Sequence, residues 1–383
     1  MRIITETFEG AHLFRFSSGL GLNGASAVVT AASQSISELD GPRCYSTGPF
    51  DGTRGLPLTL NGSGTAVTPS EIFTGFFFLH TAPSSAVVAP VGGSQIDAKH
   101  RLMSFWSGTT GICTVKIDPV TQKLQLFVGA FYWLDVFFSV VGNVPTYALA
   151  ANSTQGQAIV QDTVYHCQIR VKLDGANSIV QVKLDDTLVI DWTGTLPGTT
   201  MDRVMLHSAG ASYADTNGLL FIDSIVINDT TAAVCAEDAT WTGIRRFKVQ
   251  LVAGPGTYAQ FTPVPAVANY LNVDDVPNDA DTTINYALTT GLKDSFPTSP
   301  HGLSALNVTF KAWFQEVIAR KDSGTFQIKL GVRRAGVDYI MATGIDTGIS
   351  YDVFDHRLCQ DPSSLNSWTG TGLDSTEIIY QND

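Results

Sequence analysis

The sequence predicts an all-β protein, in which a two-sheet jelly-roll sandwich is followed by a smaller C-terminal β-sandwich. Glu is scarce among the 383 residues, with seven against twenty-eight Asp. Glu favours helices whereas Asp favours turns, so this imbalance indicates strands and loops. Gly contributes 35 residues, and only 15% of the residues are charged. Short alternations of apolar and polar residues, separated by turn residues, recur along the chain as expected of half-buried strands.

The first half of the chain predicts at least nine short strands. The alternation is clearest in residues 164–173, where Tyr165, Cys167 and Ile169 are separated by polar side chains. Turn residues at 174–177 and 185–186 are followed by further strands at 180–184 and 187–192. Connections this short produce an antiparallel meander. The other strands predicted in this half lie at residues 72–79, 102–107, 112–118, 123–128, 203–208 and 219–228.

The boundary between two domains is predicted after residue 229, where the sequence becomes small, polar and aperiodic. The predicted division is a jelly roll over residues 1–232, a linker over 233–244 and a second β-sandwich over 245–383. A Gly-, Pro- and Asp-rich excursion occupies 253–300 of the second part. The strands predicted after it lie at residues 308–318, 326–332, 339–343, 350–358 and 377–381.

Segments of both parts resemble known families. YHCQIRVKL (165–173), VQVKLDD (180–186) and FIDSIVIND (221–229) resemble the late strands of concanavalin A-like, or laminin G-like, jelly rolls. That resemblance implies that the last of these strands pairs with the chain start at 3–8. Residues 254–287, with the turn at 321–324, are similar to a module of tailed-bacteriophage structural proteins. The combination implies a virion component, made in the host bacterial cytoplasm, that contacts capsid, neck or tail proteins.

Charge and apolar runs exclude two classes of partner. The net charge is −12 and Lys and Arg form no cluster, so nucleic-acid binding is not expected. The longest apolar run, residues 130–144, is broken by Asp135 and Gly142, so insertion into a membrane is not expected. The N-terminus lacks the apolar stretch of a secretory signal, so export by a signal peptide is not expected either. The five cysteines are widely spaced without a C-x-x-C pair, which predicts free buried thiols in a reducing compartment.

The sequence predicts a protein without enzymatic activity, catalytic residue or cofactor. Glycosidases on such sandwiches need carboxylates grouped on one strand. None of Glu6, Glu9, Glu38 and Glu71 begins such a group. The sequence also contains no Gly-x-Ser-x-Gly nucleophile elbow and no Gly-Lys-Ser/Thr phosphate loop.

An Asp-rich segment is the candidate metal site. Five oxygen-bearing side chains lie within eight residues, and Ca²⁺ prefers such ligands. The segment lacks the Gly hinge and distal Glu of an EF-hand, and Asp and Asn also form turns through their own backbone, so both interpretations stay open. The candidate ligands are Asp274, Asp275, Asn278, Asp279 and Asp281.

An aromatic run over residues 130–138 is the candidate interface. It is too continuously apolar for a half-exposed strand, so it lies either in the core or at a subunit contact, where aromatic residues are enriched. Phe73, Phe76, Phe77 and Phe78 raise the same question. The phage resemblance makes a homo-oligomer, a trimer in particular, a natural expectation. The candidate interface residues are Phe131, Tyr132, Trp133, Phe137 and Phe138.

These observations favour a non-enzymatic decoration, fibre or tail-associated protein that acts through protein contacts. One alternative is a receptor-recognition module on the virion that binds host glycan by aromatic stacking. Exposure of Trp106 or Trp133 on a concave sheet would favour that alternative. A second alternative is a polysaccharide depolymerase.

Overall fold

The structure of the chain is a computed structural model. The residues that it describes are 2–6, 27–30, 43–47, 56–59, 61–62, 65–80, 101–108, 110–117, 121–132, 148–152, 158–206, 220–230, 240–243, 250–273, 282–303 and 308–383. They form an all-β protein, as the sequence predicts. The described residues divide into two compact units, which comprise residues 2–243 and 250–383.

The larger sheet of the first unit contains eight of the described strands. The strands are β1 (Arg2–Glu6), β2 (Ala27–Thr30), β3 (Arg43–Thr47), β7 (Glu71–His80), β12 (Val164–Lys172), β13 (Ser178–Leu184), β14 (Thr187–Gly194) and β16 (Leu220–Asp229). Their order is β14-β13-β12-β7-β16-β3-β2, and β1 also pairs with β16. The pairing of β1 with β16 agrees with the jelly-roll resemblance, which joins the chain start to the strand at 221–229.

The smaller sheet of the first unit contains six described strands. The six strands are β4 (Leu56–Thr59), β8 (Arg101–Ser107), β9 (Thr110–Ile117), β10 (Leu124–Tyr132), β11 (Ala148–Asn152) and β15 (Arg203–Leu206). Their order is β11-β10-β9-β8-β15-β4, and short connections join β8, β9 and β10 as antiparallel pairs. The strands β5 (Asn61–Gly62) and β6 (Thr65–Ala66) form a separate two-stranded ribbon.

The second unit is built on a five-stranded sheet, accompanied by two strand pairs. The strands are β17 (Thr262–Val264), β18 (Ile284–Tyr286), β19 (Lys293–Pro297), β20 (Trp313–Ala319), β21 (Gln327–Arg334), β22 (Val337–Ile340), β23 (Ile345–Asp346), β24 (Asp352–Leu358) and β25 (Glu377–Asn382). The sheet has the order β19-β25-β21-β22, and β23 also pairs with β21. The pair β20–β24 contributes Val317 and Phe354 to the core, where they meet Phe296, Leu330 and Tyr380 of the sheet. The second pair is the ribbon of β17 and β18.

Helical structure is sparse in the described ranges. A short α-helix spans Gly370–Asp374, and Thr369 caps it by accepting a hydrogen bond from the Gly372 N–H. 3-10 turns lie at Gly175–Asn177 and Asn269–Asn272. None of the helices described is long and apolar enough to cross a membrane.

The excursion over residues 253–300 is more regular than the sequence predicts. It contains β17, β18 and β19, and β19 is an edge strand of the main sheet of the second unit. The alternation is hidden there because polar side chains face the interior: Asp294 and Ser295 of β19 are both fully buried. A pattern that equates buried with apolar therefore misses this strand.

The prediction that every cysteine is a free thiol is wrong. Cys113 and Cys167 are free and fully buried. Burial raises the pKa of both thiols well above the usual value, which keeps them protonated and unreactive. Cys359 is disulfide-bonded.

Candidate functional site

The outward face of the larger sheet of the first unit carries a group of polar side chains. Strand β13 shows why, because its residues are alternately buried and half-buried from Ser178 to Leu184. The set of β12 and β13 that contains Ile169 and Val182 faces the core and is mainly apolar. The opposite set of β13 includes Gln181 and Lys183.

Four of these side chains form a ladder across four neighbouring strands. The Arg170 Nε donates to Glu71 Oε1 at 2.7 Å, and its Nη1 donates to Gln181 Oε1 at 3.0 Å. Gln181 in turn donates from its Nε2 to Asp191 Oδ1 at 2.9 Å. The ladder follows directly from register, since Arg170 is the direct partner of Gln181, and Gln181 of Asp191. We call these four residues the polar ladder.

Trp241 lies beside the polar ladder on the same face. Its indole meets the Phe73 ring edge-on, with 5.6 Å between the ring centroids. Phe73 is the strand partner of Arg170, and the Arg170 guanidinium lies 5.5 Å from the Phe73 ring centroid. The Lys183 ammonium also lies over the Trp241 ring, 4.5 Å from its centroid. Trp241 is half-buried, so part of the indole remains accessible.

Trp241 is held in place because its segment, residues 240–243, packs against the sheet. We call this segment the strap. Gln168, which is fully buried, accepts at Oε1 from the Gly243 N–H at 2.8 Å and from the Thr242 hydroxyl at 3.3 Å. A Cβ on Gly75 would lie 2.0 Å from Thr242 Oγ1, so the strap approaches the sheet only because residue 75 is Gly. Asn228 adds a hydrogen bond to the carbonyl of Thr240 at 3.2 Å. Part of the predicted linker is therefore packed against the first unit.

The chemistry of this face suits a polyhydroxylated ligand. Arg, Glu, Asp and Gln offer planar donor and acceptor pairs that match adjacent hydroxyl groups. The ladder hydrogen bonds hold those groups in place before a ligand arrives, which lowers the entropic cost of binding. The indole beside them provides an apolar surface for stacking.

The aromatic residue that the sequence selected for such a role is not on the surface. Trp106 is fully buried, and its indole N–H donates to Ser104 Oγ at 2.6 Å. Trp106 therefore does not meet the condition of exposure that would favour glycan binding, and its backbone pairs with Gly111 of β9 and Arg203 of β15. Trp133, the other candidate, lies outside the described residues.

The remaining predicted sites fall largely outside the described part of the chain. The Ca²⁺ candidates Asp274, Asp275, Asn278, Asp279 and Asp281 all lie there, and within the described ranges no three His, Cys, Asp or Glu side chains group as metal ligands. Among the interface candidates, Phe131 and Tyr132 extend β10, where their backbones pair with Gly111 and Thr110. Trp133, Phe137 and Phe138 lie outside the description. Phe73, Phe76, Phe77 and Phe78 are buried.

A second charged cluster, in the second unit, has an evident structural role. The Tyr258 hydroxyl and Lys293 Nζ each donate to Asp338 Oδ2 at 2.9 Å, and Arg333 pairs with the same carboxylate. Although burial raises the pKa of Asp338, the hydrogen bonds from Lys293, Arg333 and Tyr258 outweigh it and hold this pKa below its usual value. Glu377 accepts from the Thr257 N–H at 2.9 Å. The cluster thus fastens the segment around Tyr258 to the sheet.

Comparisons with known proteins give structural likeness without a family. No family model matches the chain, and no curated protein matches it. Among solved structures, it is similar to alginate lyase Aly36B, with 12% identity over 59% of this chain and 96% of that one, at a TM-score of 0.32. It is also similar to carbohydrate-binding module CBM66 from Bacillus subtilis, with 13% identity over 53% and 87% of the two chains and a TM-score of 0.27.

A third similar structure is the galectin LEC-6 from Caenorhabditis elegans. The identity is 8% over 46% of this chain and 91% of that one, and the TM-score is 0.27. These values assign no function, so the proposals that follow rest on the geometry of the polar ladder and Trp241.

Sequence reasoning missed Trp241 because it stands in a segment that looks like a linker. A signal was present, however. Trp241 is the one aromatic residue in the otherwise small and polar stretch 230–243. Tryptophan in such a stretch needs a packing partner, and Phe73 of β7 provides one.

Proposed function

We propose that the first unit binds carbohydrate on the outward face of its eight-stranded sheet. The observation that carries this proposal is the polar ladder beside Trp241. Glu71, Arg170, Gln181 and Asp191 are connected by hydrogen bonds of 2.7 to 3.0 Å across four strands. A sugar ring has hydroxyl groups at its edge and C–H groups on its face. The ladder matches the edge and the indole matches the face.

Replacement of Trp241 by Ala is expected to weaken glycan binding by about tenfold or more. Aromatic anchors typically contribute more than about 1 kcal/mol to a binding contact, and this one supplies the stacking surface. The measurement is a glycan array with the wild-type protein, followed by titration of each bound glycan against Trp241→Ala. Tyr286→Ala is the matched control, because Tyr286 is a partly exposed aromatic residue of the second unit, 38% accessible.

Two results would count against carbohydrate binding at this face. One is an array on which the wild-type protein binds no glycan at high concentration. The other is a Trp241→Ala variant that keeps its fold, judged by circular dichroism, and binds as the wild type does. Appearance of new reducing ends during incubation with a bound polysaccharide would instead favour the depolymerase alternative over simple binding.

A virion component acting through protein contacts is the second candidate function, and a group of exposed apolar side chains on the second unit favours it. In the ribbon of β17 and β18, Asn285 faces inward, where it donates to Asp294. The alternate positions Val264 and Tyr286 face outward and are 42% and 38% exposed. Exposed apolar patches commonly mark protein contacts. The exposed apolar side chains of the ribbon and of the segments next to it in sequence are Val264, Val267, Leu271, Tyr286 and Leu288.

Mass spectrometry of purified particles tests this second candidate. The chain should be present in virions, and Val264→Ser with Leu288→Ser should reduce its incorporation while leaving glycan binding by the first unit unchanged. Absence of the chain from particles, together with no association with capsid, neck or tail proteins, would refute it.

A further inference from the structure

Lys183 differs from the other cations on the outward sheet face. Arg170 is held by Glu71, with Nη2 2.6 Å from Oε1, and Lys172 is 2.9 Å from Asp174. Lys183 has no carboxylate within ion-pair distance among the described residues. Its ammonium instead lies over the ring of Trp241, 4.5 Å from the ring centroid.

The strand register explains why Lys183 has no acidic partner on the neighbouring described strands. Its direct partners are Gln168 on β12 and Leu188 on β14. The Gln168 amide is already occupied, since it donates to Asp186 Oδ1 at 2.6 Å and accepts from the strap. Leu188 offers no polar group. Within the described part of the chain, the Lys183 ammonium therefore meets the aromatic surface of Trp241 without an acidic partner, in a protein whose net charge is −12.

We infer that this face selects acidic saccharides, with the ligand carboxylate bound by Lys183 and the ligand ring stacked on Trp241. This inference rests on the proposed carbohydrate binding and adds the class of sugar. An ammonium over an indole is stabilised by about 0.5–1 kcal/mol at an exposed site, so a carboxylate can draw it away at small cost. As the ammonium moves, it uncovers indole surface for the sugar. Acid recognition and stacking are thus coupled.

The test is a glycan array that carries each uronic- or sialic-acid-containing glycan beside its carboxyl-reduced counterpart. The two members of a pair share the ring and the linkage and differ in charge. We expect the wild-type protein to bind the acidic member about threefold to fivefold more tightly, which is the usual range for a partly exposed ion pair. Higher ionic strength should reduce this preference.

Lys183→Ala is expected to abolish the preference for the acidic member. Lys183→Arg should retain it, because guanidinium keeps both the charge and the interaction with the indole. Lys172→Ala is the matched control on the same face, since the Lys172 ammonium is already neutralised by Asp174, and it should leave the preference unchanged.

The possible results separate this inference from the function on which it rests. If the wild-type protein binds both members of each pair equally, or if Lys183→Ala keeps the preference, acid selection is wrong and carbohydrate binding stands. If the protein binds no glycan on the array, the proposed function is refuted and the inference is refuted with it. If Lys172→Ala removes the preference as fully as Lys183→Ala does, the acid contact is not specific to Lys183, and its assignment to Lys183 is wrong.

Discussion

Replacing Asp294 with Ala is expected to lower the free energy of unfolding of the second unit by about 3–5 kcal/mol. Asp294 is fully buried on β19, and its carboxylate joins the segment around Phe261 to the main sheet. Five donors converge on it at 2.7 to 3.3 Å: the N–H groups of Gln260 and Phe261, the side-chain amides of Asn269 and Asn285, and the hydroxyl of Tyr380.

The large effect follows from what the substitution leaves behind. Buried donors without an acceptor lose their hydration without compensation, and each costs about 1–3 kcal/mol. Tyr380 stays protonated and able to donate, because burial raises its pKa well above the usual value and the nearby Asp294 raises it further. Asn285 also donates to the Tyr380 oxygen at 3.1 Å. The group therefore acts as one network, in which a single deletion affects all members.

This loss is measured by urea unfolding, monitored through the hydrogen exchange of peptides from residues 250–383. Asp322→Ala is the control, since Asp322 lies in an exposed turn with 85% of its side chain accessible. Its substitution should change stability by about 0.5 kcal/mol or less. Asp294→Asn should fall between the two, because its oxygen still accepts whereas its amide faces the amides of Asn269 and Asn285. Equal stability of Asp294→Ala and Asp322→Ala would refute a stabilising role for the network.

The strands of the first unit could be predicted from sequence where one face is buried and the other is exposed to solvent. In β12 and β13, Tyr165 and Val182 alternate with Gln168 and Lys183, and the structure places these strands within a residue or two of the prediction. In β7, alternation fails because both faces are covered. Phe76 packs in the core, while Phe73 packs under Trp241.

The candidate site is less visible in the sequence because its parts are distant in the chain. Glu71 and Arg170 are 99 residues apart, and only the pairing of β7 with β12 makes them neighbours. Each residue alone looks like a solvated surface charge. The Asp294 network is hidden for a related reason. Its amides and carboxylate resemble turn residues in sequence, whereas their burial depends on packing that local patterns do not encode.

Mild acid is expected to destabilise the first unit through His166. The side chain is 4% exposed and packs on Phe77, with 4.8 Å between the ring centroids. Burial lowers the pKa of His166 to about 4 from its usual 6.5, although Asp186 partly offsets the effect. In the unfolded chain, His166 therefore binds a proton below about pH 6.5, whereas in the folded chain it binds one only near pH 4. The contribution of neutral His166 to stability is fully present above this pH range and is lost as the pH falls through it.

The expected loss from His166 is about 2–3 kcal/mol between pH 7 and roughly pH 4.5, because each pH unit within the window costs about 1.4 kcal/mol. Urea midpoints of wild type and His166→Phe at the two pH values measure it. Phe keeps the ring packing on Phe77 and cannot be protonated, so the variant should lose less stability in acid. His356, whose pKa burial also lowers despite an opposing effect of Asp355, is common to both proteins and cancels in the comparison.

Asp186→Asn provides the complementary variant, since the charge of Asp186 favours protonated His166. Without that charge, the folded-state pKa of His166 should fall further and the acid loss should extend to lower pH. The side-chain oxygen that this substitution leaves at position 186 can still accept from Gln168, so the hydrogen bond there is retained. If His166→Phe loses as much stability in acid as the wild type, His166 does not cause the acid sensitivity of this unit. The buried imidazole beside Phe77 would then have to keep a folded-state pKa close to its value in the unfolded chain.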